Sequence, residues 1–306
     1  MKNESEYNYS DKKTIDDEIS LLELFSVLWE GKKLLLGFIV VSSLLSVFIS
    51  LSLSDIYKSE ALLAPVSSEN SGSSNPLGQL GGLADIAGVS LGNNKINKTT
   101  MGLEVLKSRK FYNSLIKKYE ILAPLMAVKD WNEEEDELIY DSSKYNATKD
   151  IWLNQPSTQE GYEKFNEIFS ISQNENGVIS LSIEHHSPYI AKKWLDWIIE
   201  EINNTSRNDD IKQAERSVSY LNEQLLSTQL SEIREGLNDL VKSQVETIML
   251  AKVTPEYLFR IIDPPFVPEE KFKPSRALIC ILGFILGAII GSLCVIIKHF
   301  IFKEET

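Results

Sequence analysis

Residues 277–297 read ALICILGFILGAIIGSLCVII and residues 34–53 read LLLGFIVVSSLLSVFISLSL, and neither stretch holds a charged side chain. About 20 residues at roughly 1.5 Å of helical rise reach about 30 Å, the thickness of a bilayer's hydrocarbon core. Both stretches are therefore expected to be transmembrane helices. A chain that crosses twice returns to its starting side, so residues 54–276 are expected to form one ectodomain tied to the membrane at both ends. Residues 1–33 and 298–306 would be short tails on the opposite face of this 306-residue chain. A cleaved signal peptide would have a shorter apolar run, a short basic leader and a nearby small-residue cleavage site. The first span does not fit that description.

Loop charge does not decide the orientation. Lys32 and Lys33 outweigh Lys58 around the first span, but Lys271, Lys273 and Arg276 outnumber Lys298 and Lys303 around the second. A long translocated domain escapes that rule, and tails this short leave little room for a folded domain, so the termini are placed inside. The net charge of −13 argues against nucleic acid as a partner. Its sharpest concentration, residues 133–137 (EEEDE), reads as a solvated surface loop. Both cysteines, Cys280 and Cys294, lie inside the second span, 14 residues apart on one helix and too distant to bridge. The ectodomain must hold together without disulfides.

Within the ectodomain, residues 56–66 (IYKSEALLAPV) suit a strand. Residues 67–94 hold six of the fifteen glycines and predict a loop without a packed core, in which Leu80, Leu83, Ile86 and Val89 recur at helical spacing. No G-x-G-x-x-G or Gly-Lys-Ser/Thr makes those glycines a phosphate cradle. From Thr99, a stripe of Met101, Val105, Tyr112, Leu115, Ile116 and Tyr119 predicts a helix. Residues 121–160 carry no clear period, with Trp131 and Trp152 as anchors, and 159–169 suit a short helix. Residues 169–173 and 178–184 flank Asn174-Glu175-Asn176-Gly177, and the second segment alternates with period two, which predicts a β-hairpin with one buried face. His185 and His186 fall at its end, where neighbours on a strand face opposite sides and do not share a metal.

Ser187-Pro188 supplies an N-cap and a first-turn proline. Residues 189–254 then contain no proline and only one glycine, Gly236. Ala191, Trp194, Leu195, Ile198 and Ile202 open an apolar stripe that continues through Ile211, Ala214, Val218, Leu221 and Leu225. The phase slips near Leu226–Leu230 and resumes at Ile233, Leu237, Leu240 and Ile248. One straight helix of that length would reach roughly 100 Å, yet the strand expected at 257–262 must lead back to the membrane. Two antiparallel arms over residues 188–254, rising from a base of 54–187 and 255–276, satisfy both. A narrow apolar stripe on a long helix calls for a neighbour, and Leu221 and Leu225 are expected to contact another copy of the chain.

Residues 261–276 (IIDPPFVPEEKFKPSR) gather Pro264, Pro265, Pro268 and Pro274, which predicts a stiff extended strut between strand and span. In the second span Gly283, Gly287 and Gly291 repeat every four residues. Ser42, Ser46 and Ser50 do the same in the first, and the two small-residue rows are expected to pack. The fold class is thus α+β, with two transmembrane helices flanking an ectodomain of mixed strands and helices that includes two long helical arms. A two-span sensor would need a cytoplasmic output module, which tails of 33 and nine residues would not supply. A membrane-anchored enzyme would need a catalytic constellation, and no G-x-S-x-G, H-E-x-x-H or clustered His/Cys/Asp pattern occurs. No catalytic residue, cofactor or metal is expected, and a two-span periplasmic sensor or a membrane-anchored scaffold is the alternative reading.

These features resemble the polysaccharide co-polymerases, most of all the chain-length determinant (Wzz) group that sets O-antigen length in Gram-negative lipopolysaccharide. Residues 21–29 (LLELFSVLW), 102–109 (GLEVLKSR), His186-Ser187-Pro188 with Ala191, Leu250-Ala251 and Ile262-Asp263-Pro264-Pro265 fit that group. Pro265, Pro268 and Lys273-Pro274-Ser275 match its strut spacing, with Lys273 and Ser275 standing where the family has serine and lysine. The resemblance implies a bacterial inner-membrane protein with its bulk in the periplasm, where a membrane-proximal α/β base bears a long protruding helical hairpin. It also implies a ring-like homo-oligomer that acts without catalysis on the integral-membrane polymerase extending a lipid-linked glycan. Related members carry a tyrosine kinase after the second span; with nine residues following the span here, none is expected.

Overall fold

The computed structural model describes residues 21–66, 98–227 and 230–303. They fall into two compact units, Met1–Leu53 with Ser275–Thr306, and Ser54–Pro274. The glycine-rich stretch read as a loop over residues 67–94, with its Leu80–Val89 spacing, lies outside the described residues.

The second unit is built on a four-stranded sheet in the order β6-β7-β1-β8, with every neighbour antiparallel. Strand β1 (Tyr57–Pro65) pairs with β7 (Ile179–His185) from Tyr57↔His185 to Leu63↔Ile179, and with β8 (Phe259–Asp263) on its other edge. The period-two pattern turns Ile179, Leu181 and Ile183 to one face, where all three are fully buried with Ala61 and Leu63. Strand β6 (Phe169–Gln173) joins β7 through the expected turn. There Gly177 takes φ +81°, a conformation costly for any residue with a Cβ, and Asn174 Oδ1 accepts from Val178 N at 2.9 Å.

Between β1 and β6 lie α3 (Lys98–Leu106), α4 (Arg109–Tyr119), α5 (Leu122–Met126), β2 (Val128–Asn132), β3 (Glu137–Tyr140), β4 (Tyr145–Asn146), β5 (Ile151–Trp152) and α6 (Thr158–Ile168). The stripe from Met101 to Tyr119 is two helices rather than one. Ser108 adopts extended backbone and its Oγ accepts from Phe111 N at 3.2 Å, so a new helix starts there with its own cap. Met101 points outward, while Tyr112 and Leu115 join the core. Helix α6 opens with a capping box in which Ser157 and Glu160 bond reciprocally. The acidic run 133–137 forms the β2–β3 turn: Trp131 Nε1 donates to Asp136 and Asn132 Nδ2 to Glu135, so those carboxylates are engaged by their own hairpin.

Helix α7 (Pro188–Ser227) is 40 residues, roughly 60 Å. Its first half lays Ala191, Trp194, Leu195, Ile198 and Ile202 on β1 and β7, the residues whose spacing marks one face. Beyond Asn203 only Ala214 is buried. Helix α8 (Ser231–Val253) packs back along α7, and Ala251 is its one buried residue. The phase slip at Leu226–Leu230 thus coincides with the reversal between Ser227 and Leu230.

The first unit holds α1 (Leu21–Glu30), α2 (Lys32–Ser52) and α9 (Arg276–Lys303), with α2 and α9 packed along their length. Helices Lys32–Ser52 and Arg276–His299 are long and apolar enough to cross a membrane. Helix α9 continues past the apolar run ending at Ile297, because no proline or glycine interrupts the turn that follows.

Candidate functional site

Three regions named from sequence acquire geometry: the seam between the spans, the proline strut and the exposed flank of the hairpin. In the seam the helices run antiparallel and meet every fourth residue. A Cβ added to Gly287 would overlap Ser42 Oγ, with Ser42 Cβ at 2.9 Å and Ile39 Cα at 3.1 Å. One added to Gly283 would overlap Ser46, and one on Gly291 would sit 3.2 Å from Phe38 Cβ and 3.4 Å from Leu35 Cα. Ser42 Oγ donates to Gly283 O at 2.8 Å, a contact between helices that the missing Cβ atoms permit. Ser46 Oγ instead bonds Ser43 O within its own helix at 2.9 Å. Ser50 is buried, and its hydroxyl has no hydrogen-bond partner among the described residues.

The seam extends one step beyond the rows read from sequence. Gly31, the single residue between α1 and α2, faces Val295, whose Cγ2 would lie 2.8 Å from an added Cβ. It lies outside the charge-free run, so a scan of the spans alone passes over it. Gly31, Gly283, Gly287 and Gly291 together form one line of close approach.

The strut is not free-standing. Ser59 Oγ, fully buried, donates to Phe266 O at 2.7 Å, and Pro265 and Pro268 are buried while Pro264 is exposed and Pro274 half-buried. Ile56 N donates to Lys273 O at 2.9 Å, and Ile56 O accepts from Phe272 N at 2.8 Å. Ion pairs Lys271–Asp55 at 3.3 Å and Lys273–Glu184 at 2.5 Å flank that bridge. The first and last residues of the second unit are therefore stitched together within a few residues of both apolar helices in sequence. Sequence marks the prolines; what it leaves out is Ser59, a polar residue on a strand's buried face whose partner lies 207 positions away.

Two buried polar side chains hold the rest of this unit. Asn203 Oδ1 accepts from Leu258 N at 2.8 Å and Phe259 N at 2.9 Å, and its Nδ2 donates to Ile199 O and Phe259 O, both at 3.1 Å. It clamps the start of β8 to α7, and Gly102 of α3 packs on the same Leu258 and Phe259. His185 Nδ1 accepts from Ser187 N at 3.0 Å, so its Nε2–H donates to Pro124 O at 3.1 Å, which fixes the neutral tautomer. Burial pushes its pKa down to about 4. His186 bonds Asp55 O instead, so the two rings serve different acceptors. Among the described residues no group of three or more His, Cys, Asp or Glu could hold a metal.

On the hairpin, Leu221 and Leu225 are half-buried within the chain's own α7–α8 pair. The hairpin's most open apolar side chains lie at its two ends: Leu226 at 90 % exposure and Leu230 at 65 % by the reversal, and Val253 at 74 % with Met249 and Leu250 at 62 % each at the close of α8.

Residues 17–119, which span α1, α2, β1, α3 and α4, match the family model of the chain length determinant protein (Wzz). Residues 240–300, covering the end of α8, β8, the strut and most of α9, match a second family model, the G-rich domain on putative tyrosine kinase. With both matches in hand, the likeness to the chain-length-determinant polysaccharide co-polymerases holds, and the kinase-associated model falls on the strut and span. No curated protein matches the chain. Among solved structures, a full-length bacterial polysaccharide co-polymerase aligns over 93 % of this chain and 99 % of its own, at 14 % identity and a TM-score of 0.40. A fragment of WzzB, a polysaccharide co-polymerase from Salmonella Typhimurium, aligns over 72 % and 100 %, at 16 % identity and a TM-score of 0.28.

Proposed function

We propose that the protein is a non-enzymatic regulator of the chain length of O-antigen or a related surface polysaccharide. In this reading α2 and α9 hold it in the bacterial inner membrane, and residues 54–276 lie in the periplasm as a base bearing the 188–254 hairpin. It acts as a homo-oligomer beside the polymerase that extends a lipid-linked glycan. The observation that carries the reading is the chain length determinant match over residues 17–119, which includes the first span and the central strand of the sheet.

The geometry supplies the physical means. Apolar side chains as open as Leu226 and Val253 are costly in water, and covering them against a second copy returns roughly 25 cal/mol for each Å² removed from solvent. Hairpins that share this surface would stand side by side around the growing glycan. The stitch between Ile56 and Lys273 holds the first and last residues of the periplasmic unit side by side. Deleting the protein should change the length distribution of the polysaccharide while its synthesis continues, read on a polysaccharide gel. An unchanged modal length, with no second regulator in the strain, would refute the proposal.

A further inference from the structure

A cavity of about 430 Å³ opens where α1, α2 and α9 meet. Val27, Leu34 and Val295 form its apolar wall, and Glu30, Lys298 and His299 its polar lining. Its depth follows from sequence and packing together. The charge-free run of α2 begins at Leu34, directly after Lys32 and Lys33, and that of α9 ends at Ile297, directly before Lys298. Gly31 seated on Val295 places those two boundaries at one level. With α2 and α9 as membrane spans, that is the level at which hydrocarbon gives way to headgroups. Trp29 and Lys32, with the ammonium 4.9 Å from the ring centroid, are the interfacial residue types expected there.

The corner is preformed. Gly31 N donates to Val27 O at 3.0 Å and Leu35 N to Gly31 O at 3.1 Å, so α1 runs into α2 with the helical bonding continued through the junction. The lining then selects the occupant. The apolar wall suits the glycerol and first methylenes of a lipid. Lys298 and His299 are donors for a phosphate, and Lys32 and Lys33 leave this end of the span pair with a cationic surplus over Glu30. A pocket between membrane helices that opens at headgroup depth, with Lys298 and His299 in its lining, presents donors to the phosphate of an anionic lipid.

We propose that this cavity binds the phosphate headgroup of an anionic membrane phospholipid. Glu30 faces the same space and opposes the anion, which gives the proposal a sign that a mere loss of structure would not reproduce. Native mass spectrometry of the full-length protein in detergent tests it, with phosphatidylglycerol, phosphatidylcholine and inorganic phosphate as probes. Phosphatidylglycerol is expected to be retained over phosphatidylcholine. The paired K298Q/H299Q substitution should lower its occupancy about tenfold, and E30Q should raise it severalfold. Equal retention of the two lipids, or occupancy indifferent to all three substitutions, would mark non-selective boundary lipid and overturn the proposal. Displacement of phosphatidylglycerol by millimolar inorganic phosphate would overturn the lipid assignment in favour of a free-anion site.

Discussion

Replacing Asn203 with alanine should loosen the joint between the hairpin and the sheet more than any other single polar change. Asn203 is 5 % exposed and makes four hydrogen bonds, all to backbone, at 2.8, 2.9, 3.1 and 3.1 Å. Removing the amide strips the acceptor from Leu258 N and Phe259 N and a donor from Phe259 O, in a pocket walled by apolar side chains. A buried polar group left without a partner costs about 1–3 kcal/mol, and entry of water into the vacated space offsets part of that. The expected sum is about 3–5 kcal/mol. For a unit of this size that corresponds to roughly 6–20 °C of unfolding temperature. The assay is thermal unfolding of the full-length protein in detergent, followed by tryptophan fluorescence, since Trp194 and Trp197 lie on the same helix as Asn203. Asn203→Asp should also destabilise, because the carboxylate keeps the acceptors but loses both amide donors and buries a charge. Asn204→Ala, whose amide reaches Glu200 at 3.5 Å and accepts from Arg207, both within its own helix, should change stability by no more than about 0.5 kcal/mol. A shift below 2 °C for Asn203→Ala would refute the clamp.

His185 makes stability pH-dependent. Its folded pKa of about 4 lies below the ordinary 6.5, so its contribution is complete above pH 6.5 and is lost as pH falls toward 4, to a total of about 3 kcal/mol; denaturant titrations at pH 7 and 4.5 should show the slope, and His185→Gln should flatten it. Replacing Gly283, Gly287 and Gly291 together by leucine should separate α9 from α2, leaving the ectodomain folded and oligomeric but altering modal glycan length on a gel; wild-type length would reduce the glycine row to ordinary composition. Leu226→Asp with Val253→Asp should lower the particle mass in detergent without moving the unfolding midpoint, whereas Leu221→Asp with Leu225→Asp should also destabilise, since those side chains are half-buried in the hairpin. An oligomer intact in the first pair would remove this flank as a subunit contact.

How far the fold was legible depended on how local its cause is. Period two in residues 178–183 and steps of three and four from Ala191 to Ile202 are patterns of one segment, and the sheet and α7 follow from them. The spans and the slip at the hairpin reversal are equally local. What escaped leaves no mark in apolar spacing, and most of it is set by distant partners. Ser108 could be read as one more residue of a helix because its cap geometry leaves no trace in apolar spacing. Residues 121–160 fold as short hairpins held by contacts such as Trp131 against Tyr57 and Tyr189, which no period encodes. Ser59, Asn203 and Gly31 look unremarkable in sequence; their roles depend on Phe266, Phe259 and Val295, all far along the chain. Leu221 and Leu225 follow the stripe, which marks an apolar side without saying whether a returning arm or a second copy of the chain is its neighbour.

The central claim is that this chain confers a preferred length on a glycan that another protein polymerises. The direct measurement is reconstitution of the polymerase in proteoliposomes with its lipid-linked repeat unit, with and without the full-length protein, and electrophoresis of the products. A modal length that appears only when the protein is present, at similar total polymer, is the expected result. Identical product distributions in the two preparations, with the protein shown to be inserted and oligomeric, would contradict the account.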